Sequence, residues 1–541
     1  MSYFMNPDTP EQIGLKEFLN NVPVETEYGR ILKENLEPVT KDNEQDLEEM
    51  YLEIRGITEE SKRHPGLLKE IRKLIHGQKN IRKSIRNALM DEVLSDVELF
   101  EIKKQAFATQ RLWQYLQQHK AIYFSSIFLY PVQWLTELLD PEKTGIETFY
   151  LYDEYDPDLR DIRSRKTDLQ ERILTEEKKR EKQAAEKLNI KPLWNREIHI
   201  PKDQPEKQEE LKELKTYVLS NETRSHWIYR PIKQDQEEEL NDLLQKEEVL
   251  EQQVRHWLSG EIGKKGEELL ENTYALARLD LLLGKVAVAM KYKCCMPEIT
   301  KEPLIEITEG RHPGLEEKLK KEGLSYMPVD LKAKRGVTLI TGANMGGKTM
   351  SLKMTALLTS MAQMGFWVPA KKFSFYPMDY IYFSTGDQQS QELGLSTFGA
   401  EVFGLKKALE VADKKGLILL DELASGTNPK EGYGISKAIV DHLSQRSAIS
   451  IVTTHYDGTG ELPEVRHLQV VGLKEGKLEG LEDELKKTRN PAGIFEKYMD
   501  YRLVPKESGE PVPRDAIRVA ELMGLPEKIL MDARKYLMEK D

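Results

Sequence analysis

The residues best placed to do chemistry lie in one glycine-rich segment that ends in a lysine and a threonine. Residues 342–349 read Gly-Ala-Asn-Met-Gly-Gly-Lys-Thr, which fits the pattern of a glycine, four residues and then Gly-Lys-Thr. Backbone N–H groups of such a loop surround phosphate oxygens at a helix N-terminus, where the helix dipole favours anions. The pattern predicts a P-loop in which Lys348 contacts the β- and γ-phosphates of ATP and Thr349 binds Mg²⁺. The residues predicted to bind the nucleotide are Gly342, Asn344, Met345, Gly346, Gly347, Lys348 and Thr349.

Two acidic residues end an apolar run further along the chain. The run is 417–420, all Leu or Ile, and Asp421 and Glu422 follow it directly. Such a pair alone is common at the surface end of a strand, but a P-loop upstream favours a functional interpretation. Asp421 suits the role of holding Mg²⁺, and Glu422 suits a general base that orients the attacking water. The second acid indicates hydrolysis of ATP rather than the phosphoryl transfer of a kinase.

A third apolar run, 449–453, leads to His455. A lone histidine after a strand is usually structural, packed or hydrogen-bonded without a chemical role. In open α/β sheets, however, ligands bind at the carboxyl ends of the strands, where this run also ends. His455 is therefore predicted to contact the γ-phosphate or its water, which gives Lys348, Glu422 and His455 as the catalytic set.

The elements that must position these residues follow from the alternation of short apolar runs with helical stretches. From about Ile305 onward, runs at 337–341, 381–384, 417–420 and 449–453 are bounded by glycine or polar residues, and a helical stretch covers 349–364. This alternation is typical of a parallel or mixed α/β sheet.

The preceding part of the chain is predicted to be helical with one interruption. Residues 25–155 show helical periodicity, and 157–187 and a stretch from about 235 are polar helices with sparse apolar positions. Between Leu188 and Lys233 helix signals fail at four prolines, and short strands are expected at 199–200 and 227–229. The segment is predicted to be a solvated helical hairpin; a long hairpin arm is also suited to gripping a partner.

Composition limits the classes of protein to which the chain can belong. Its 541 residues carry 80 Lys+Arg against 92 Asp+Glu, a net charge of −12, so nucleic-acid binding would need a local basic patch. The two cysteines, Cys294 and Cys295, are adjacent and cannot make a disulfide framework or a four-cysteine zinc site. The polar N-terminus and the absence of a run of about 20 apolar residues predict a cytoplasmic protein with no membrane partner.

The order of the motifs resembles the MutS family of ATPases, relatives of the ABC ATPases. The segments that carry the resemblance are GANMGGKT, then Ser396-Thr397-Phe398, then LLDELASGTNPKEG and then TTHY, with further likeness at 275–280, 309–313 and 516–526. Before about residue 270 the likeness is weaker and depends on the order of helix, arm and helix. The resemblance implies a multidomain protein with ATP and Mg²⁺ as cofactors. Its expected segments are a helical core and lever at 1–156, a long helix pair at 157–298 with a clamp tip near 189–233, an α/β P-loop ATPase domain of ABC type at 299–500, and a C-terminal helical dimerisation segment at 501–541.

The resemblance also implies a homodimer with shared sites. Ser396 is similar to the signature serine that reaches the partner's γ-phosphate, and 386–390 is similar to a loop that senses Mg²⁺ and water. Residues 426–428 would lie in the loop that crosses the dimer interface. Ala343 stands where the family usually has proline, a change that leaves phosphate binding intact because backbone groups bind the phosphate.

Departures from the family bear on the biological role. None of the 14 phenylalanines is followed two residues later by glutamate, so the Phe-x-Glu motif of mismatch recognition is missing. The chain is similar to the short MutS-like branch that lacks the mismatch module. Members of that branch commonly carry a C-terminal nuclease, whereas this chain ends at Asp541.

The partner is left open by the sequence. One hypothesis is a DNA or other nucleic-acid clamp that uses cations and aromatic residues of the arm. The second is the ATPase subunit of a reactivase, with a protein client such as a cobalamin-dependent aminomutase (lysine 5,6-aminomutase, for example). An ABC transporter ATPase fits less well, because that class lacks so long an inserted hairpin. The arm residues proposed for DNA are Lys191, Trp194, Arg196, Lys202, Lys207, Arg224, Trp227, Arg230 and Lys233.

Overall fold

The structure is a computed structural model. In chain order, its described residues start and finish with helices, and the strands between them form three sheets of six, four and three strands. It describes residues 4–40, 43–119, 127–190, 196–232, 235–342, 347–385, 397–456, 458–473, 499–506, 517, 520–521 and 525–538. The helices are α1 Thr9–Gln12, α2 Leu15–Asn20, α3 Glu27–Glu34, α4 Glu44–Arg63, α5 Leu67–Ile75, α6 Arg82–Leu89, α7 Asp96–Gln118, α8 Gln133–Leu139, α9 Pro157–Leu188, α10 Pro205–Glu213, α11 Asp235–Gly263, α12 Gly266–Lys291, α13 Pro313–Lys321, α14 Lys348–Gln363, α15 Thr397–Val411, α16 Pro429–Ser444 and α17 Glu527–Met538.

The strands fall into three sheets. They are β1 Ile198–Pro201, β2 Tyr217–Glu222, β3 His226–Pro231, β4 Glu298–Ile299, β5 Leu304–Gly310, β6 Val329–Lys334, β7 Gly336–Thr341, β8 Lys372–Phe375, β9 Tyr380–Thr385, β10 Gly416–Asp421, β11 Ile449–Thr453, β12 Arg466–Leu473 and β13 Met499–Pro505. The largest sheet has the order β13-β12-β7-β11-β10-β9, and the others have the orders β4-β8-β5-β6 and β1-β3-β2.

The chain divides into two compact units. One comprises Met1–Gln78, Leu116–Phe128 and Tyr274–Asp541, and the other comprises Lys79–Tyr115 and Leu129–Thr273. The mixture of helices with an α/β sheet agrees with the multidomain fold class expected from the sequence. The finer division into four segments stays a prediction.

The largest sheet is parallel from β12 to β9, and β13 pairs with β12 in the antiparallel sense. Alternate side chains of each central strand enter two different apolar cores: Leu417 and Leu419 belong to one, Ile418 and Leu420 to the other. Both faces are thus covered, which explains why these strands are continuous apolar runs. The four predicted strands lie within one residue of their expected bounds, and the helix expected at 349–364 is α14.

The second unit contains the long helices α9 and α11, which pack against each other. Charged pairs join them: Arg163 bonds Glu247 at 3.2 Å and Glu251 at 2.8 Å. Between the helices lies a small α/β module with its own core, made of Ala184, Leu188, Ile198, Ile200, Leu211, Tyr217 and Tyr229. Long polar helices on either side of a short insert are what the sequence predicted.

Within this insert, the expectation that helix signals fail was wrong at Pro205. Proline is favoured in the first turn of a helix, where its missing N–H costs nothing, and it begins α10. Strand β2 was also missed. Five of its six residues are exposed on a sheet edge, and its apolar run at 217–219 is only three residues long before the polar residues 220–222.

Two further expectations concern the cysteines and membranes. Cys294 and Cys295 are both free thiols, and burial raises the pKa of Cys295 to about 11, which keeps it protonated and unreactive. Among the helices of the described residues, none combines the length and apolar character that crossing a membrane requires.

Candidate functional site

The carboxyl ends of the central strands bring the predicted residues together. Strand β11 lies between β7 and β10, and its last residue, Thr453, pairs with Ile340 near the end of β7. Strand β10 ends at Asp421, and helix α14, which follows the predicted P-loop, begins at Lys348. Residues separated by about 70 positions in the sequence therefore meet at one edge of the sheet.

The Asp421 carboxylate is held by two hydroxyl groups. Thr349 Oγ1 donates to one carboxylate oxygen at 2.6 Å, and Thr453 Oγ1 donates to the other at 2.8 Å. The Thr349 hydroxyl and the Asp421 carboxylate both offer oxygen atoms as ligands. Mg²⁺ in proteins is commonly held by one or two carboxylates, and water completes its coordination shell. Thr349 and Asp421 thus fit the Mg²⁺ role predicted for them.

Glu422 lies on a sharp turn of the chain. Its φ is +51°, in the left-handed region, which costs a residue with a side chain about 1–2 kcal/mol. Thr453 stabilises the turn, because its Oγ1 accepts the Glu422 N–H at 2.7 Å and its carbonyl accepts the Leu423 N–H at 2.9 Å. The Glu422 side chain is 43% exposed, so the turn presents a carboxylate to solvent.

His455 lies beside Glu422. Its Nε2 is 3.2 Å from Glu422 Oε1, and the imidazole is one-third exposed. The two predicted catalytic side chains are therefore in contact and accessible from the same side.

Lys348 occupies the first position of α14 and is buried. Its Nζ donates to the Gly342 carbonyl at 2.8 Å, across the loop that joins β7 to α14. Burial lowers the pKa of Lys348, and the negative charges of Glu422 and Asp421 oppose that shift. The Lys348 ammonium group is thus attracted by both acids and lies at the N-terminus of α14, the positive end of the helix dipole.

The two glycines at the ends of the loop are required by the backbone. Gly342 has a φ of +129° and Gly347 a φ of +76°, conformations that side chains rarely adopt. A Cβ atom at Gly347 would also lie 2.9 Å from the Tyr501 ring. The predicted residues Asn344, Met345 and Gly346 lie outside the described residues, as does Ser396 with the loop 386–390.

Sequence reasoning missed the residues that position the loop after β10. The buried carboxyl of Glu401, in α15, accepts the Ala424 N–H, and burial raises the pKa of Glu401. Tyr456 donates to the Ala424 carbonyl at 2.9 Å, and Ser436 to the Leu423 carbonyl at 3.1 Å. An acidic residue inside the apolar stretch of α15 was the one signal that could have pointed to Glu401.

The arm cations are partly neutralised by acidic neighbours. Lys202 pairs with Glu222 at 2.6 Å, and Arg196 pairs with Glu177. Arg224 and Arg230 are exposed on the small module. Lys191, Trp194 and Lys233 lie outside the described residues.

Comparison with known proteins places this site in a family context. Residues 338–540 match the family model MutS domain V. The chain is similar to Endonuclease MutS2 of Caldanaerobacter subterraneus, at 28% identity over 476 residues that cover 85% of this chain and 56% of the relative. The identity is 33% over 265 residues with Endonuclease MutS2 of Fusobacterium nucleatum, covering 48% of this chain and 31% of that relative.

A further relative is Endonuclease MutS2 of Lachnospira eligens, 34% identical over 285 residues that cover 52% of this chain and 33% of that protein. The chain therefore spans about half the length of the first relative and about a third of the other two. The similarity to MutS domain V is thus confined to residues 338–540, and the similarity to the MutS2 relatives is partial.

Proposed function

We propose that this chain is a MutS-family ATPase that couples ATP binding and hydrolysis to the gripping or remodelling of DNA. The observation that carries the proposal is the bonded set Thr349–Asp421–Thr453–Glu422–His455 at the sheet edge beside Lys348. This cluster of loops combines a lysine cation, two oxygen ligands for a metal and an exposed carboxylate. These are the groups that hydrolysis of a phosphoryl bond requires.

Each residue has a separate task in this proposal. Lys348 neutralises phosphate charge from its position at the start of α14. Thr349 and Asp421 hold Mg²⁺, which when bound with ATP reduces the charge on the phosphate oxygens. Glu422 accepts a hydrogen bond from the attacking water and polarises it, and His455 orients the Glu422 carboxylate through their 3.2 Å contact.

Two substitutions separate binding from hydrolysis. Lys348→Ala removes the phosphate cation and is expected to abolish nucleotide binding. Glu422→Gln keeps the shape of the side chain and loses its charge, so ATP should still bind while turnover falls by orders of magnitude. Binding is measured with a fluorescent ATP analogue, and hydrolysis by phosphate release.

Matched controls are available on the same domain. Lys414→Ala changes an exposed lysine before β10, and Glu410→Gln changes an exposed acid on α15. Both are expected to behave as wild type. Equal nucleotide affinity in wild type and Lys348→Ala would overturn the assignment of the P-loop.

We propose in addition that the ATPase works as a homodimer in which Ser396 acts on the partner's nucleotide. The family resemblance supports this proposal. Mixing Ser396→Ala with Lys348→Ala subunits should restore one working site per mixed dimer. The trans role is wrong if mixtures that demonstrably exchange subunits stay inactive.

The family resemblance favours DNA as the partner, and the chain would bind it without recognising mismatches. Exposed Arg224 and Arg230, with Lys207, supply cations on the arm module. The reactivase alternative, with a protein client, stays a prediction that no observation favours.

A further inference from the structure

We propose that Glu60, His64 and His119 form a binding site for a divalent transition metal of the zinc class. Glu60 lies in the last turn of α4, His64 follows that helix and His119 follows α7. One potential ligand atom from each lies within 4.8 Å of the others. All three residues belong to the first compact unit, and none is part of the proposed ATPase site.

The spacing between Glu60 and His64 matches that of two ligands of one metal. Glu60 and His64 are four residues apart, which places both side chains on one helix face. His64 Nε2 is 3.2 Å from Glu60 Oε1. Metal–ligand bonds of about 2.0–2.1 Å in a tetrahedral site place two ligand atoms about 3.3 Å apart, so this pair needs no rearrangement.

The third ligand, His119, comes from the chain directly after α7. The rings of His64 and His119 lie edge to face with their centroids 5.1 Å apart. A shift of His119 by at most about 1.5 Å would complete a tetrahedral spacing, and its partly exposed ring leaves room for that movement. The ring contact with His64 keeps the His119 imidazole beside the Glu60–His64 pair.

The Glu60 carboxylate has one oxygen paired with a cation and the other directed at His64. The Glu60 side chain is only 5% exposed, and a buried carboxylate needs positive partners; Arg63 supplies one at Oε2, and a metal would supply the other at Oε1. Arg63 Nη1 lies 3.4 Å from Oε2 of Glu60, which orients the carboxylate and leaves Oε1 directed toward His64. The carboxyl end of α4, with its partial negative charge, adds to the attraction.

The donor set selects the metal. Two imidazole nitrogens with one carboxylate oxygen suit Zn²⁺, Co²⁺, Ni²⁺ or Cu²⁺, whereas Mg²⁺ and Ca²⁺ prefer oxygen ligands alone. His64 is half exposed, so a metal can enter from solvent and water can take the fourth position. Such a metal would link the end of α4 to the chain that follows α7.

The test uses the full chain, freed of metal by chelation and titrated with Co²⁺. Tetrahedral Co²⁺ absorbs visible light much more strongly than octahedral Co²⁺, which separates this site from the oxygen-rich Mg²⁺ site. We expect one equivalent of tetrahedral Co²⁺, displaced by Zn²⁺, and a melting temperature that rises with added Zn²⁺.

Single substitutions assign the ligands. His119→Ala, His64→Gln and Glu60→Gln should each weaken Co²⁺ binding at least about tenfold, since loss of even a supporting residue costs about 10–100-fold. His256→Ala, an exposed histidine of α11, is the control and should bind as wild type. Circular dichroism of the metal-free variants confirms that each is folded.

The proposal is wrong if wild type shows no tetrahedral band with Co²⁺ at about 1 mM, the upper end of ordinary weak site affinities. It is also wrong if folded variants of all three residues bind as tightly as wild type. Neither outcome touches the ATPase proposal, because Lys348, Asp421 and Glu422 are unchanged in every variant.

Discussion

At the scale of single residues, Thr453 holds the candidate site together. Its hydroxyl donates to Asp421 at 2.8 Å and accepts the Glu422 N–H at 2.7 Å, so one side chain holds both the carboxylate proposed to bind Mg²⁺ and the backbone of the proposed general base. Thr453 is fully buried, and removal of its hydroxyl would leave two polar groups without their partner. A buried group that loses its partner costs about 1–3 kcal/mol.

We therefore expect Thr453→Val to lower the kcat of ATP hydrolysis about ten- to a hundredfold, a rise in barrier of about 1.4–2.8 kcal/mol. The KM for ATP should change less than about threefold, because the substitution leaves Lys348 and the other predicted phosphate-binding residues unchanged. Steady-state phosphate release measures both constants. Thr453→Ser keeps the hydroxyl and should restore most of the rate; a Ser variant as slow as the Val variant would contradict the positioning role.

A second residue, His467, makes stability depend on pH. It lies on β12, and its Nε2 is 2.8 Å from the Thr341 hydroxyl at the end of β7. Burial, with a smaller contribution from Lys506, lowers the pKa of His467 to about 4. The unfolded chain, with a histidine pKa of about 6.5, therefore binds more protons between these two values.

The free energy of unfolding should fall as pH drops from about 6.5 toward 4, because protonation favours the unfolded state in that window. His467→Gln keeps a hydrogen-bonding side chain and removes the titration. We expect the loss of urea stability between about pH 7 and pH 5 to be smaller in this variant than in wild type. Identical losses in the two proteins would rule out His467 as the group responsible.

At the scale of elements, α14 connects the candidate site to the helical part of the first unit. It starts at Lys348 and, at about 1.5 Å per residue, extends about 24 Å to a buried C-terminus. There Tyr51 of α4 donates to the Ala362 carbonyl at 2.7 Å, and Lys285 of α12 donates to the Met364 carbonyl at 2.8 Å. Side chains of two other helices thus satisfy carbonyls at this helix end.

Through these hydrogen bonds, binding of ATP at the start of α14 could change the structure or dynamics of α12. Lys285 is buried, and burial lowers its pKa to about 8. Lys285→Met keeps an apolar stem of similar length and removes the hydrogen bond to α14. We expect ATP to change the hydrogen exchange of Tyr274–Lys291 amides in wild type, and to change it at least about twofold less in the variant.

The control for this prediction is Met290→Leu, an exposed position on the same helix. ATP binding should be unaffected in both variants, since neither residue lies at the sheet edge. An unchanged exchange response in folded Lys285→Met protein would show that the coupling does not pass through this contact.

At the scale of the whole molecule, the charges of the arm limit how many cations are available to contact DNA phosphates. The chain is acidic overall, and Lys202 already has a carboxylate partner in Glu222. Binding to phosphate would then depend on cations such as Lys207, Arg224 and Arg230. Few contacts mean a shallow response to salt, because the response scales with the number of phosphates neutralised.

Three such contacts predict a slope of log affinity against log salt of about −2.7, and a loss of about fortyfold between about 50 and 200 mM salt. Charge reversal of Lys207, Arg224 and Arg230 together should eliminate this dependence, whereas reversal of Lys414, remote in sequence from the arm, should leave it intact. Fluorescence anisotropy with branched and duplex DNA measures it. We would abandon the DNA partner if ATP-saturated protein at low salt bound neither DNA below about 100 μM.

Several elements could be predicted from short segments of the sequence, because their cause is local. Gly342 and Gly347 allow the loop conformation, the apolar runs of β7, β10 and β11 form strands buried on both faces, and the polar periodicity of α9 makes a long exposed helix. Each of these signals depends on a residue and its near neighbours, so a pattern of a few positions is enough to predict it.

The tertiary structure alone decided which distant residues meet. Placing β11 between β7 and β10 brought Thr453 to Asp421. Packing of α15 beneath the loop brought Glu401 to Ala424, and the ends of α4 and α7 brought His119 to Glu60. No local pattern encodes these contacts, because each depends on strand order and helix packing, which the whole chain determines by burying its apolar faces together.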